Sequence, residues 1–307
     1  MRSWVMRSVV ALGVTAASTV GAYAEGWSRF GYGRLINNDF IGDLRDREQT
    51  GSYVSSRMFA RGAVTELPGR MGEVLEFRLQ GDIKTPRNLQ VPAAGDRPYA
   101  GTLTLGLHTH YAHGGAEISL GGELAMTGPQ TRLDQLQTAL HDGLGVAPPS
   151  AQTKAGQVAN GFHAGVVVEM GRSFALSDRT TLRPFVEGRS GVETLIRTGF
   201  DLSIGEIGRE PLQVRDGITG QRYRTLDAAG TGVAFVIGAD TALVSDSVYL
   251  PAANGLALTD TRDRARMGMH WQAKRTTGFF GVTYLGKEYR SQVGAQVVGS
   301  IRLGVDF

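Results

Sequence analysis

The chain of 307 residues contains no cysteine, which excludes disulfides, thiolate catalysis and cysteine-based metal sites. Its 32 lysine and arginine residues nearly balance 29 aspartate and glutamate residues and are spread along the chain, which argues against a nucleic-acid-binding protein. With 43 glycines, 10 prolines and only 8% aromatic residues, the composition favours sheets and tight turns over helices or a disordered linker.

The N-terminal segment has the pattern of a secretory signal peptide. Arg2 and Arg7 precede an apolar run, and Ala22-Tyr23-Ala24 is a small-residue cleavage pattern. We therefore expect residues 1–24 to be removed and residues 25–307 to form one mature domain. No later apolar run reaches the roughly 20 residues that a transmembrane helix needs, which excludes a helical membrane protein.

Segments of about ten residues alternate between apolar and polar side chains, as strands do. One face of each segment is uniformly apolar, whereas the other carries more charge than a packed sandwich core could hold. A transmembrane β-barrel explains both faces, because apolar side chains meet lipid and polar ones fill the lumen. The clearest segments are Glu73–Gln80, Gly101–Tyr111, Glu117–Met126, Met267–Trp271 and Ile301–Phe307.

We predict an all-β, antiparallel barrel of about twelve strands in the outer membrane of a Gram-negative bacterium. A barrel of that size has a lumen filled mostly by side chains, so its function should lie at the wall or mouth. The aromatic C-terminal strand ending in Phe307 is typical of such barrels. The alternative is a soluble periplasmic sheet protein with one solvated face.

The first predicted strand ends in Asn37-Asn38-Asp39-Phe40, and a charged turn leads to Thr50-Gly51. Hairpin geometry places Asp39 opposite Thr50. A carboxylate, an amide and a hydroxyl would then converge, and such oxygen ligands suit a hard cation such as calcium. The alternative is ordinary turn capping by asparagine and aspartate.

Two further motifs precede the centre of the chain. Asp96–Gly101, DRPYAG, has as its simplest interpretation an arginine and tyrosine girdle at the membrane interface. His108 and His110 stand two apart on one strand face, a spacing that can bind a transition metal. No third ligand is visible, so hydrogen bonding within the lumen is the favoured interpretation.

Thr127–Gly145 is the one convincing amphipathic helix of the sequence. Thr131 with Asp134 predicts a capping box at its start, and Gly143 and Gly145 predict its end. The helix has an apolar stripe of Leu133, Leu136, Leu140 and Leu144, and a polar face of Asp134, Gln137, Thr138 and His141.

A histidine on the single helix of a β sequence either serves a function or decorates a solvated surface. No serine hydrolase signature of the form G-x-S-x-G is present, and no serine is singled out by its surroundings. Pro148-Pro149, Arg215–Arg224 and Asp260–Arg264 are predicted loops.

In combination these motifs resemble the outer-membrane lipid A 3′-O-deacylases. The similarity spans nearly the whole mature chain, and the DRPYAG block together with the Gly-Pro to histidine helix is its most specific part. The matching residues are Asn38-Asp39-Phe40, Thr50-Gly51, Thr85-Pro86, Asp96–Gly101, Gly128-Pro129, Gln137, His141, Gly145, Gly161-Phe162, Glu169 and Gly286–Gln292.

The resemblance implies a calcium-dependent ester hydrolase that removes the 3′ acyloxyacyl group of lipid A, with lipopolysaccharide and the outer membrane as partners of a monomer. Within it, His141 is the general base on water, Asn38 and Asp39 belong to the calcium site, and Thr50 is a weaker member of that cluster. The family's lysine could be Lys84, although Arg87 is also possible. An acidic helper after the histidine has no counterpart.

Two other functions remain open at this point. An outer-membrane phospholipase would use the same chemistry on a different ester, and only the lipid products separate it from a lipid A deacylase. A non-catalytic barrel would neither bind calcium nor alter any lipid.

Overall fold

The computed structural model describes residues 26–207, 212–226 and 230–305. The predicted signal peptide, residues 1–24, and the terminal Phe307 lie outside these ranges.

The described residues form strands with only short helical segments. Helix α1 spans Leu133–Leu144 and α2 spans Ala151–Ala155, and single 3-10 turns occupy Pro129–Thr131 and Ala252–Asn254. The strands are β1 Ser28–Asn38, β2 Glu48–Ala60, β3 Val74–Thr85, β4 Ala100–His113, β5 Ala116–Thr127, β6 Gly161–Gly171, β7 Phe174–Ser177, β8 Thr180–Ser190, β9 Glu193–Gly205, β10 Gln213–Arg215, β11 Arg222–Arg224, β12 Gly232–Ser247, β13 Arg262–Gln272, β14 Thr276–Leu285 and β15 Gln296–Val305.

Twelve of the described strands form one closed antiparallel barrel. Their order is β6-β5-β4-β3-β2-β1-β15-β14-β13-β12-β9-β8, and pairing of β6 with β8 closes the ring. The short β7 extends β8 at one end. The predicted all-β barrel of about twelve strands is therefore confirmed.

The two faces of the wall differ as the alternation predicts. On β4, Leu105 and Leu107 are exposed on the outside, whereas His108 and His110 are buried inside. His110 Nε2 lies 2.8 Å from a carboxylate oxygen of Glu76, so this histidine is hydrogen-bonded in the lumen as expected. Among residues 26–207, 212–226 and 230–305, no three metal-binding side chains are grouped as a metal site.

The segment Arg215–Arg224, which the sequence predicts to be a loop, is instead part of a hairpin inside the barrel. Its strands β10 and β11 pair with each other, because the turn residues between them reverse the chain. Val214 and Tyr223 pack on Leu35, Val54 and Phe279. Arg215 forms ion pairs of 2.7 Å with Glu169 and Asp201. Within the part of the barrel that the structure describes, the hairpin and its ion pairs fill the lumen and leave no wide pore.

The connections at the two ends of the barrel differ in length. Residues 39–47, 86–99, 128–160, 191–192, 248–261 and 286–295 connect strands at one end, where both predicted site segments lie. Residues 61–73, 114–115, 172–179, 206–231 and 273–275 connect strands at the other end, and the longest of these contains the hairpin that lies inside the lumen. Because barrels of this class have short periplasmic turns and longer extracellular loops, we assign this end to the cell exterior.

In the part of the chain that the structure describes, no helix combines the length and the apolar character needed to cross a bilayer.

Helix α1 starts and packs differently from its predicted form. Its N-cap is Arg132, in a left-handed conformation and without a side-chain cap, so the predicted capping box at Thr131 is wrong. Thr131 instead donates to Gly128 O at 2.8 Å, closing the preceding 3-10 turn. The helix ends at the left-handed Gly145, as predicted.

The predicted apolar stripe of α1 mostly faces outward. Leu136, Leu140 and Leu144 are 46%, 48% and 77% exposed, whereas Gln137 and His141 are buried against the barrel. In water this orientation would be unfavourable, but at the lipid boundary apolar side chains belong outside. The helix therefore holds its histidine between the wall and an apolar outer surface.

Candidate active site

The candidate site lies on the outer face of the barrel, at the extracellular ends of β1 to β4. Asn37 points into the lumen, where it donates to Ser52 Oγ at 2.9 Å, so its neighbour Asn38 points outward. The hydroxyls of Thr50 and Thr85 are 2.8 Å apart on the same outer face. These side chains form the floor of the site.

Two glycines allow the loops to approach this floor closely. A Cβ on Gly101 of β4 would lie 2.8 Å from the Thr131 hydroxyl and 3.0 Å from Leu133 Cβ, so only glycine lets the start of α1 rest on β4. On the other side, Ile41 covers Gly299 of β15, where a Cβ would be 2.4 Å from Ile41 Cγ2. The helix and the turn 39–47 thus lie over the outside of the wall.

The predicted pairing of Asp39 with Thr50 is present. Asp39 N donates to Thr50 O at 3.2 Å, and Asn38 Nδ2 donates to the same oxygen at 3.0 Å. Asn38 Oδ1 accepts from Phe40 N at 2.9 Å. The turn-capping interpretation is therefore also correct, since Asn38 makes the local contacts that it requires.

Asp39 is a buried carboxyl group to which no cationic side chain of the described residues is bonded. Its Oδ2 accepts the N–H of Arg47 at 2.7 Å, and the residue is only 1% exposed. Burial, together with the nearby Asp46 and Asp43, raises the pKa of Asp39 to about 8 against the opposing hydrogen bond from Arg47 N. Three carboxyl groups therefore lie close together here, and a bound cation would allow Asp39 to release its proton and ionise.

His141 is held at both ring nitrogens. Nδ1 lies 2.9 Å from Ala147 O, and Nε2 lies 2.9 Å from Asp46 Oδ2. The backbone carbonyl can only accept, so Nδ1 carries a proton. Asp46 links the two predicted halves of the site, because the following residue, Arg47, bonds to Asp39 through its backbone N–H.

Gln137, one helical turn before His141, has an unsatisfied acceptor in the site. Its Nε2 lies 3.4 Å from both Asp46 Oδ1 and His141 Nε2. Its Oε1 is buried and has no donor among the described residues. Such an orphan oxygen is costly unless a water or a ligand occupies the position in front of it.

Asp46 is the site residue that sequence reasoning missed. Its contact with His141 crosses almost a hundred residues of sequence, so no local spacing identifies it. Backbone strain gives one further structural sign. Among the described residues, the only non-glycine residues with positive φ are Leu44, Glu48 and Arg132. Leu44 and Glu48 lie on either side of Asp46, and Arg132 is the N-cap of α1. Strain of this kind tends to collect at functional sites.

Lys84 is not brought to His141. It belongs to the inward face of β3, where its ammonium group bonds to Gln49 and lies 3.8 Å from Asp82. Arg87 lies in the following loop, and its backbone N–H donates to Asp96 Oδ2 at 2.8 Å. Neither cation contacts the His141 and Asp46 pair in the structure.

The DRPYAG block does not form the membrane-interface girdle that its composition predicts. Arg97 is 2% exposed and donates to Glu288 at 2.6 Å, and Tyr289 donates to Asp96 at 2.6 Å. The block is buried because it pairs with the other matching block, Gly286–Gln292, and together they cover the extracellular end of the lumen.

The donor set fits a hard cation in its chemistry. Asp39 supplies a buried carboxylate whose raised pKa reflects burial and two neighbouring carboxylates, and the surrounding groups are oxygens of amides and hydroxyls. Thr50 O already accepts two hydrogen bonds, whereas Asn38 Oδ1 accepts one and keeps a second lone pair for a cation; other main-chain oxygens and water would complete the coordination. Ordinary calcium sites use such mixed oxygen ligands.

The profile of the family described as "Outer membrane protein LpxR" matches residues 8–307. Among solved structures, LpxR from Salmonella typhimurium aligns with a TM-score of 0.69 at 16% identity, covering 90% of this chain and 100% of that one. The NanC porin aligns with a TM-score of 0.41 at 7% identity, covering 91% and 100% of the two chains. No protein with a curated description matches the sequence. The Salmonella structure shows the same barrel fold.

Proposed function

The chain belongs to the family of outer membrane protein LpxR, and on this basis we propose that it is a lipid A deacylase that removes the 3′-linked acyloxyacyl group. The observation that carries the proposal is the buried His141, fixed at both ring nitrogens on the outer face of an outer-membrane barrel. Its position suits an ester that is presented from the membrane.

The location of the site favours a membrane lipid over a soluble ester. The filled lumen offers no wide path, whereas the site opens beside the exposed Phe40, Leu44 and Leu140 at the extracellular end. A lipid of the outer leaflet can reach it sideways with its acyl chains still in the bilayer. Lipid A is the ester-bearing lipid of that leaflet.

The surroundings of His141 suit a general base on water. Ala147 O and Asp46 Oδ2 are both acceptors, so they match a ring that carries a proton on each nitrogen. That doubly protonated ring is the form that results when Nε2 takes a proton from water. Because Asp46 Oδ2 occupies the position in front of Nε2, this side chain, a quarter exposed on its turn, has to shift for the water to bind there, and it can then stabilise the imidazolium.

Gln137 is the residue that we assign to orient the attacking water. Its orphan Oε1 can accept one water hydrogen while His141 Nε2 accepts the other. Holding the water near its attack position lowers the entropic part of the barrier.

Asp39 and Asn38 are the residues that would hold calcium, with Thr50 as a neighbouring oxygen donor. A bound calcium ion would supply Lewis-acid stabilisation of the negative charge that develops on the ester carbonyl oxygen. Among the described residues, no cationic side chain contacts His141 or Asp39, so this charge stabilisation has no evident protein substitute.

Mass spectrometry of lipid A from cells that express the chain tests the proposal. We expect loss of one acyloxyacyl unit when calcium is present. Unchanged lipid A together with altered glycerophospholipids would favour a phospholipase, and no change in either lipid would favour a non-catalytic barrel.

Substituting Gln137→Leu should lower kcat about 10- to 100-fold with little change in KM, because the water loses one of its two positioning contacts. Stability should hold or rise slightly, since the change removes a buried acceptor that lacks a donor. Initial rates and urea midpoints measure the two effects. Gln135→Leu, on the exposed side of the same helix, is the control. Equal losses in both variants would contradict the assignment.

Substituting Asp46→Asn should slow the reaction about 10- to 100-fold, because the imidazolium loses the charge beside it. The effect stays moderate because the Asp46 side chain is 26% exposed and partly screened. Asp43→Asn in the same turn is the matched control, since Asp43 pairs with Arg47 at 2.7 Å instead. If both variants lost activity equally, the turn conformation and not the Asp46 charge would be responsible.

A further inference from the structure

Charged side chains are nearly absent from the lipid-facing side of the described barrel strands. Following the alternation and pairing of each strand, the outward charges Arg29, His113, Asp246 and Asp263 lie within two residues of a strand end. Only two outward charges lie deeper in the wall, Arg34 on β1 and Arg57 on β2. An ionisable group at membrane depth is costly, so its position calls for a functional explanation.

Arg34 and Arg57 lie on β1 and β2, two of the strands whose extracellular ends carry the candidate site. Along β1 and β2 the outward pairs, from the site downward, are Asn38 with Gly51, Ile36 with Tyr53, Arg34 with Ser55, and Tyr32 with Arg57. No other described barrel strand carries an outward-facing charged side chain away from its ends. The polar residues therefore lie directly below the site.

We call Arg34, Tyr53 and Ser55, with Tyr32 beside them, the polar band. The hydroxyls of Tyr32 and Tyr53 approach to 3.4 Å, so the two side chains lean toward each other across the row of Arg34 and Ser55. Arg34 donates to Leu303 O at 2.7 Å, which fixes its guanidinium against β15. Tyr32, Tyr53 and Arg34 are thus each held by a hydrogen bond on the outer face of the wall.

The depth of the polar band fits the length of an acyl chain. Arg34 lies four residues below Asn38 on β1. With a rise of about 3.4 Å per residue and a strand tilt of about 40°, that separation corresponds to a depth of roughly 10 Å. One leaflet of the hydrocarbon core is about 15 Å thick. An acyl chain that descends from an ester at the site meets the band before it reaches the bilayer midplane.

We propose that the polar band limits the length of the acyl chain that the site accepts. Methylene groups above the row of Arg34 and Ser55 contact Ile36, Ile83 and Leu103 on neighbouring strands, whereas methylene groups that reach that row meet hydroxyls and a guanidinium. Longer chains then lose apolar contact or must bend away from the wall. This inference rests on the proposed deacylase function and adds to it a specificity for acyl-chain length.

The test uses the full chain in detergent micelles with lipid A preparations whose acyl chains differ in steps of two methylene groups. Tyr53→Leu removes the hydroxyl nearest the site and leaves the Arg34 contact to β15 intact. We expect it to raise the rate ratio of longer over shorter chains by about tenfold, the low end of what one methylene group is worth in closed pockets. Tyr284→Leu, a lipid-facing tyrosine on β14, is the matched control and should not change the ratio.

Gly81→Met provides the opposite change. Gly81 of β3 pairs with Tyr53 of β2. A Cβ at Gly81 would meet only Leu103 Cδ2, at an ordinary contact distance of 3.5 Å, so the barrel should accept a methionine there. The added side chain projects into the path of the acyl chain and should lower the same ratio.

Active Tyr53→Leu and Gly81→Met variants with wild-type chain-length ratios would overturn the inference while leaving the deacylase proposal intact. Equal shifts in Tyr53→Leu and Tyr284→Leu would also overturn it. Failure of the wild type to release any acyl chain contradicts the deacylase proposal itself, and the inference with it.

Discussion

His141→Ala is expected to reduce lipid A deacylation by about 10²- to 10⁴-fold, the usual range for removal of a general base. The variant leaves Asp46 and Gln137 in place, so the water keeps its surroundings but loses its proton acceptor. The residual rate reports what positioning alone contributes. Mass spectrometry of lipid A from expressing cells, followed by initial rates of purified protein with calcium, measures the loss.

His163→Ala is the matched control for this experiment. His163 also lies at the extracellular end of the barrel and bonds to a neighbouring hydroxyl, that of Thr127, at 3.1 Å. It belongs to the inward face of β6, away from the outer site, so its removal should leave the rate within about twofold of wild type. A fully active His141→Ala variant with a folded barrel would exclude His141 as the base.

The wall of this barrel could be predicted because its signal is local. Alternation within β3, β4 and β5 needs only the neighbouring residues of one strand, and lipid outside with a polar lumen makes that alternation strong. The pairing of Asp39 with Thr50 was predictable for the same reason, since a short turn fixes the register of its two strands.

The remaining features depend on long-range packing. The leucine stripe of α1 predicts a helix but not which side of it faces the protein. In water the apolar side packs against the protein, whereas at the lipid boundary it faces outward. The hairpin β10–β11 was predicted to be a loop, since its short strands are ordered by the lumen and not by their own pattern. Asp46 reaches His141 only through the folding of a turn over the wall, which no motif records.

The Asp39→Asn variant should lose calcium binding and most activity while becoming more stable than wild type without calcium. An aspartate with a pKa of 3.8 when unfolded and about 8 when folded keeps a proton in the folded chain that the unfolded chain releases. Stability therefore falls as pH rises between about 4 and 8, by up to about 1.4 kcal/mol per pH unit. Asparagine keeps an oxygen for Arg47 N but has no such dependence.

Urea midpoints of both proteins in a chelator, measured across pH 4 to 9, report this contribution, because the two proteins differ only at this side chain. The same proton competes with the cation, so the wild-type affinity for calcium should rise about tenfold per pH unit below about pH 8, with proton release detectable by calorimetry. A structural carboxylate would give the opposite result, with Asp39→Asn less stable than wild type in chelator. An Asp39→Asn variant that binds calcium like wild type would move the cation site elsewhere.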